Sequence, residues 1–128
     1  MTGSKITKIN TFDMDGVITI GLTPRPEDII ITGRSYEEAK ETYAYLQNRN
    51  IHNAVYFNPI PYEAKTRESS GQHKAKIIKL LQSNGIEVLK HFEDDEVQKA
   101  EIEKNCEVIV VHVVHNLTEK ENVRHLEV

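Results

Sequence analysis

The sequence predicts an α/β fold built on a mainly parallel sheet of about five strands. Three observations carry that reading. Short runs that read as strands recur along the chain, apolar-leaning at Ile6 to Phe12 and at Ile86 to Phe92, and more apolar at Asp28 to Ile31, Ala54 to Phe57 and Cys106 to Val114. Ile29 to Ile31 is continuous, apolar and β-branched, as expected of a parallel strand buried on both faces. Stretches of helical spacing follow three of these runs, and acidic or hydroxyl residues stand where several runs end.

At 128 residues the chain has room for one domain and no second folded unit. A net charge of −4 argues against a broad nucleic-acid surface, though not against a local basic patch. Cys106 is the only cysteine, so no intrachain disulfide is expected, which fits a reducing, cytoplasmic setting. The polar start, Met1 to Lys5, does not read as a signal peptide, and no stretch has the length of a membrane span. Asn116-Leu117-Thr118 matches a glycosylation acceptor, expected to be chance in such a chain.

The first run ends in Asp13-Met14-Asp15-Gly16. Residues two apart in a strand point to the same side, so Asp13 and Asp15 leave the strand end together. Gly16 lets the chain turn sharply there. Two acids so placed repel each other unless a cation joins them, and hard oxygen donors suit magnesium. The glycine comes too early for an EF-hand loop. Val17 to Pro26 then reads as a flap stiffened by two prolines, with no helical period before Asp28. A parallel crossover needs roughly a dozen residues or more, so this link is just long enough.

The second run, Asp28 to Ile31, leads into Thr32-Gly33-Arg34, read as a strand-to-helix turn able to hold an anion. Ser35 and Glu38 form a capping box, and Tyr36, Ala39, Tyr43 and Leu46 fall on one helical face. The third run is followed by a proline-rich loop, residues 58–71. His73 to Leu81 has helical spacing, stopped by Asn84-Gly85. Lys65, Arg67, His73, Lys74, Lys76 and Lys79 make this region basic: either a mouth for an anionic substrate or a solvated helix face. The fourth run ends in Glu93-Asp94-Asp95-Glu96, with a helix beyond through Val97, Ala100, Glu101 and Lys104. Acids at a helix start also occur simply because they offset the dipole. His112 and His115 near the last run read as ordinary polar residues before metal ligands. A charged tail, Leu117 to Val128, with a short helix as one reading, ends the chain.

These pieces resemble, in order, the motifs of the haloacid dehalogenase-like phosphohydrolases: an apolar strand ending in Asp-x-Asp-Gly, a strand ending in Thr or Ser, a lysine near a helix start, and a strand ending in Asp-Asp. The match spans about Phe12 to His112. It implies a three-layer Rossmann-like domain; both places where that family inserts a cap are short here, so the chain resembles a capless member, with a site open to solvent or closed by a partner subunit in a homo-oligomer. The missing helix after the first strand departs from the family pattern.

The resemblance also implies roles. Asp13 would be the nucleophile and Asp15 the acid and base. Lys74, with Lys76 as competitor, would contact the phosphoryl group. Thr32, Gly33 and Arg34 would bind substrate, with Arg34 alternatively facing solvent. Magnesium would be held by Asp13, the Asp15 carbonyl, Asp94 and Asp95. The activity implied is hydrolysis of a phosphomonoester, with a nucleotide or nucleic-acid terminal phosphate as one candidate. A receiver domain fits less well, because its acids and lysine come in another order. A non-catalytic phosphate-binding module on the same scaffold is the second reading.

Overall fold

The structure, a computed structural model, describes residues 7–115; the expectations for Ile6, Asn116 and the tail lie outside the described residues. Five strands form one all-parallel sheet: β1 (Thr7–Phe12), β2 (Ile29–Ser35), β3 (Val55–Asn58), β4 (Ile86–Glu93) and β5 (Ile109–His112). Their order across the sheet is β3-β2-β1-β4-β5. The helices are α1 (Ala39–Gln47), α2 (Arg67–Ser83) and α3 (Glu96–Asn105). The arrangement is Rossmann-like, and its order reverses between β1 and β4, the place where open α/β sheets bind ligands.

Two apolar clusters cover the two faces. Ile9, Ile31 and Val88 of the sheet pack with Ala75, Ile78 and Leu81 of α2 and Ile102 of α3. Phe12 and Ile30 pack on the other side with Leu46 of α1 and with Met14, Val17 and Ile18. The last three belong to the β1–β2 link, which holds only a short 3-10 turn at Ile18–Ile20. Met14 and Val17 are fully buried, so the flap supplies the apolar cover that a crossover helix would have given.

Four readings of local structure are corrected. Thr32-Gly33-Arg34 is not a turn but the end of β2. Ile31 pairs with Tyr56 and Ser35 with Asn58, so β2 carries extra residues against β3, a bulge. The loop after β3 ends earlier than expected: Thr66 caps α2, its Oγ1 accepting the Ser69 N–H, so Ser69, Ser70 and Gly71 are helical. Gly71 reads as a breaker, yet a Cβ there would press into Gln98 and Glu101 of α3, so its smallness sets the helix–helix approach. On α1 the buried positions are Thr42 and Leu46, with Glu38 before them, while Tyr36 and Tyr43 are exposed. Tyr36 sits in a 3-10 turn ahead of α1, which breaks the expected phase; both tyrosines rest instead on Phe57. Finally, β5 is shorter than Cys106 to Val114, because only Lys90 to Glu93 of β4 stand opposite it.

Among the described residues, no helix is long and apolar enough to cross a membrane.

Candidate metal and acid-base site

The seam between β1 and β4 brings the chemistry together. Phe12 pairs with Phe92 in register, their rings stacked with centroids 4.7 Å apart. The Asp13 N–H donates to the Phe92 carbonyl, so the chain leaving β1 runs level with the end of β4. Asp13 lies just beyond one strand, and Glu93 and Asp94 end the other. One carboxylate oxygen from each of these three lies within 4.8 Å of the others.

Lys74 of α2 reaches this cluster from the helical layer. Its Nζ donates to Asp13 Oδ1 at 2.9 Å and to Glu93 Oε1 at 2.8 Å. Burial alone would lower its pKa, but the two carboxylates outweigh that and raise it, so the ammonium stays charged. Lys76 is exposed, so of the two candidate lysines it is Lys74 that meets Asp13. Lys74 does so from two turns inside α2, not from its first turn, because the helix begins at Arg67.

Glu93, which in sequence looks like one more helix-start acid, is instead part of the cluster. It is fully buried, and its Oε1 also accepts His91 Nε2 at 3.1 Å. In the neutral tautomer this leaves His91 Nδ1 to accept the Thr11 hydroxyl at 2.7 Å. The signal was present: His91 and Glu93 are two apart near a strand end, as Asp13 and Asp15 are.

Asp94 is held by the end of β5 and the segment just after it. His115 Nε2 donates to Asp94 Oδ2 at 2.8 Å, and His112 Nε2 lies 3.1 Å from the Asp94 carbonyl oxygen. Gly16, with φ +82°, lies against the same pair: a Cβ there would overlap the Asp94 carboxylate and press on His115 Nε2. The expectation of an open site therefore meets buried groups, with the Asp13 and Asp94 side chains 4% and 2% exposed.

The other expected site residues are placed differently. Asp95 is outside the carboxylate cluster. Its Oδ1 caps α3, accepting the Val97 and Gln98 N–H groups, and it pairs with Arg67 at 3.0 Å. Asp15 is gripped by Arg34, with Nε 2.8 Å from Oδ2 and Nη2 2.7 Å from Oδ1. Arg34 therefore neither faces solvent nor projects from a loop toward an anion. Thr32 is buried, its Oγ1 accepting the Arg34 N–H, with the hydroxyl proton left to donate. The Gly33 carbonyl accepts from Lys65 Nζ at 3.1 Å.

The basic mouth dissolves as well. Lys65 is buried against Glu38, Lys74 lies within the acidic cluster, and Arg67 pairs with Asp95. His73 is buried, and burial followed by the Lys74 charge lowers its pKa to about 4, so it is neutral near pH 7. Lys76 and Lys79 remain exposed, further along α2.

The cluster suits a hard divalent cation. Its donors are all carboxylate oxygens, three against the single ammonium of Lys74, and Gly16 leaves the space that Asp94 occupies. Nothing in that donor set distinguishes magnesium from calcium. No protein-family model, curated protein or solved structure matches the chain.

Proposed function

We propose that the chain is a magnesium-dependent phosphohydrolase that cleaves a phosphomonoester through an aspartyl-phosphate on Asp13. One observation carries the reading: Asp13, Glu93, Asp94 and Lys74 converge at the switch point of the sheet, the first three as a possible cation site and the fourth on the Asp13 carboxylate. That is the combination an attack by carboxylate on phosphate requires, since both are anions and repel each other without added positive charge.

Asp13, Glu93 and Asp94 would hold the cation, which when bound would supply charge neutralisation on the phosphoryl oxygens. Lys74 steadies Asp13 and offers a further cationic contact. Thr32 is fully buried, so its hydroxyl would meet a phosphoryl oxygen only if the end of β2 were uncovered. Asp15 serves as the acid and base of the two half-reactions. Nucleotide or nucleic-acid terminal phosphates are candidate substrates by resemblance alone.

A second reading, a phosphate-binding module without turnover, is favoured by one feature: Arg34 occupies both oxygens of Asp15. The test is a screen of aryl phosphates, nucleotides and 3′-phosphorylated oligonucleotides with magnesium, using Asp13→Asn as control. Turnover lost in Asp13→Asn supports the enzyme. Turnover that survives Asp13→Asn refutes the mechanism, and binding of phosphate with no turnover selects the module.

A further inference from the structure

We propose that His115 sets which cation the carboxylate cluster accepts: by holding one oxygen of Asp94 it makes that side chain a one-oxygen ligand, which suits magnesium and disfavours calcium. This role rests on the cation site in the reading above, and it belongs to a residue that the proposed chemistry leaves unused. Three carboxylates taken as a bare donor set fit either ion. The hydrogen bonds around them do not.

His115 Nε2 donates to Asp94 Oδ2 at 2.8 Å. Gly16 crowds the same oxygen, since a Cβ at Gly16 would overlap Oδ2. Oδ2 is therefore enclosed by an N–H and by backbone, and a cation could use it only by displacing His115. The segment that carries His115 is itself anchored. The Val113 N–H donates to the Glu93 carbonyl at 2.8 Å, and His112 Nε2 lies 3.1 Å from the Asp94 carbonyl oxygen. The other two carboxylates are loaded in the same one-sided way. Asp13 Oδ1 accepts from Lys74 Nζ at 2.9 Å and from the Met14 N–H at 2.8 Å. Glu93 Oε1 accepts from Lys74 Nζ and from His91 Nε2.

Denticity is where the two ions differ. Calcium takes about six to eight oxygens at longer range and readily uses both oxygens of one carboxylate. Magnesium is smaller and keeps a near-ideal octahedral shell, which the narrow bite of a chelating carboxylate strains. Groups hydrogen-bonded to a ligating carboxylate fix how it meets the ion. The Lys74 and His91 side chains are 1% and 0% exposed, so removing either opens the core. The His115 side chain is 15% exposed and stands beyond the last strand. It is the member of this set through which ion choice can be changed by itself.

The experiment is calorimetric titration of the full chain with magnesium chloride and with calcium chloride, in one buffer at one pH. The proteins are the wild type, His115→Leu, His115→Gln and His112→Leu. The wild type should bind magnesium more tightly than calcium. His115→Leu should lose magnesium affinity roughly tenfold or more, while calcium affinity is kept or rises. His115→Gln, whose amide N–H can reach Oδ2, should keep the wild-type preference. His112→Leu loses a contact to the Asp94 backbone and not to its carboxylate, so it should change both affinities by the same factor.

Affinities that fall together in His115→Leu would make His115 general support, and affinities that rise together would make it a competitor for Asp94; either overturns the proposal. A wild type that takes calcium as readily as magnesium overturns it too, as does His115→Gln behaving like His115→Leu. Should His115→Leu fail to fold, His115→Asn, polar but too short to reach Oδ2, carries the same comparison. Selective magnesium binding that His115→Leu leaves unchanged removes this role alone. A wild type that binds neither ion removes the cation site, and the metal-dependent reading with it.

Discussion

Lys74 Nζ stands 2.9 Å from Asp13 Oδ1, the two side chains buried together between α2 and the end of β1. Glu93 shares the same ammonium at 2.8 Å. Replacing Lys74 by Met leaves carboxylates buried without their cation. Removing one partner from such a group costs about 3–5 kcal/mol. Urea denaturation should show that loss for Lys74→Met, and saturating magnesium should recover part of it. Lys76→Ala, on the exposed side of the same helix, should stay within about 0.5 kcal/mol of the wild type. Equal effects at the two positions would contradict the placement of Lys74.

Acid should destabilise the fold through His73. Unfolded, His73 takes a proton near 6.5; folded, it resists until about 4, first because it is buried and then because Lys74 is charged. Between those values the unfolded state binds more protons, so stability falls as pH falls. The full effect is about 3 kcal/mol. The wild type should lose more stability than His73→Gln between pH 6.5 and pH 4, measured by urea midpoints, and identical slopes would remove His73 from the account. Lys74 has the opposite sign: its contribution is complete below its ordinary 10.5 and is lost only as pH climbs toward its raised folded value.

A bound cation should raise the melting temperature, because it binds the folded state alone. At 100 times the dissociation constant the gain is about 2.7 kcal/mol. Asp94→Asn should abolish the response to magnesium. Asp95→Asn should cost about 1 kcal/mol or somewhat more, through the α3 cap and Arg67, while keeping that response. A magnesium response lost in Asp95→Asn and kept in Asp94→Asn would reverse the two assignments.

Glycine at position 16 should be needed on two counts, and a second glycine separates them. Gly16 and Gly85 both have positive φ, +82° and +84°. A side chain at 85 meets open space, whereas one at 16 collides with Asp94. Gly85→Ala should cost about 1–2 kcal/mol from backbone strain alone and leave magnesium binding intact. Gly16→Ala should cost more and weaken magnesium binding, read by calorimetric titration. Equal magnesium affinity in the two variants would show that Asp94 is not held against Gly16 in solution.

That five strands exist, and roughly where, was legible from short stretches of strand-forming residues between turns and helical spacing. The ends of β2 and β5 were not, because bulges and the reach of the neighbouring strand set them. The absence of a helix between Gly16 and Asp28 was legible too, because no helical period is there. Gly71 and its flanking serines misled because loops and capped helix starts draw on the same residues, and only the approach of α3 gives Gly71 its reason. Tyr36 and Tyr43 misled because a helical face was counted through a 3-10 turn, which shifts its phase.

By itself the sequence determined the order of strands and helices, the delivery of Asp13 and Asp94 to strand ends, and the two lysines that could reach them. The tertiary structure alone decided which of those lysines meets Asp13, that Glu93 joins the carboxylates while Asp95 turns away to cap a helix, and that Arg34 closes on Asp15. The reason is geometric. Local sequence sets the backbone path, but the direction of a side chain at a strand end depends on bulges, caps and the partners across the sheet, most of them many residues distant along the chain.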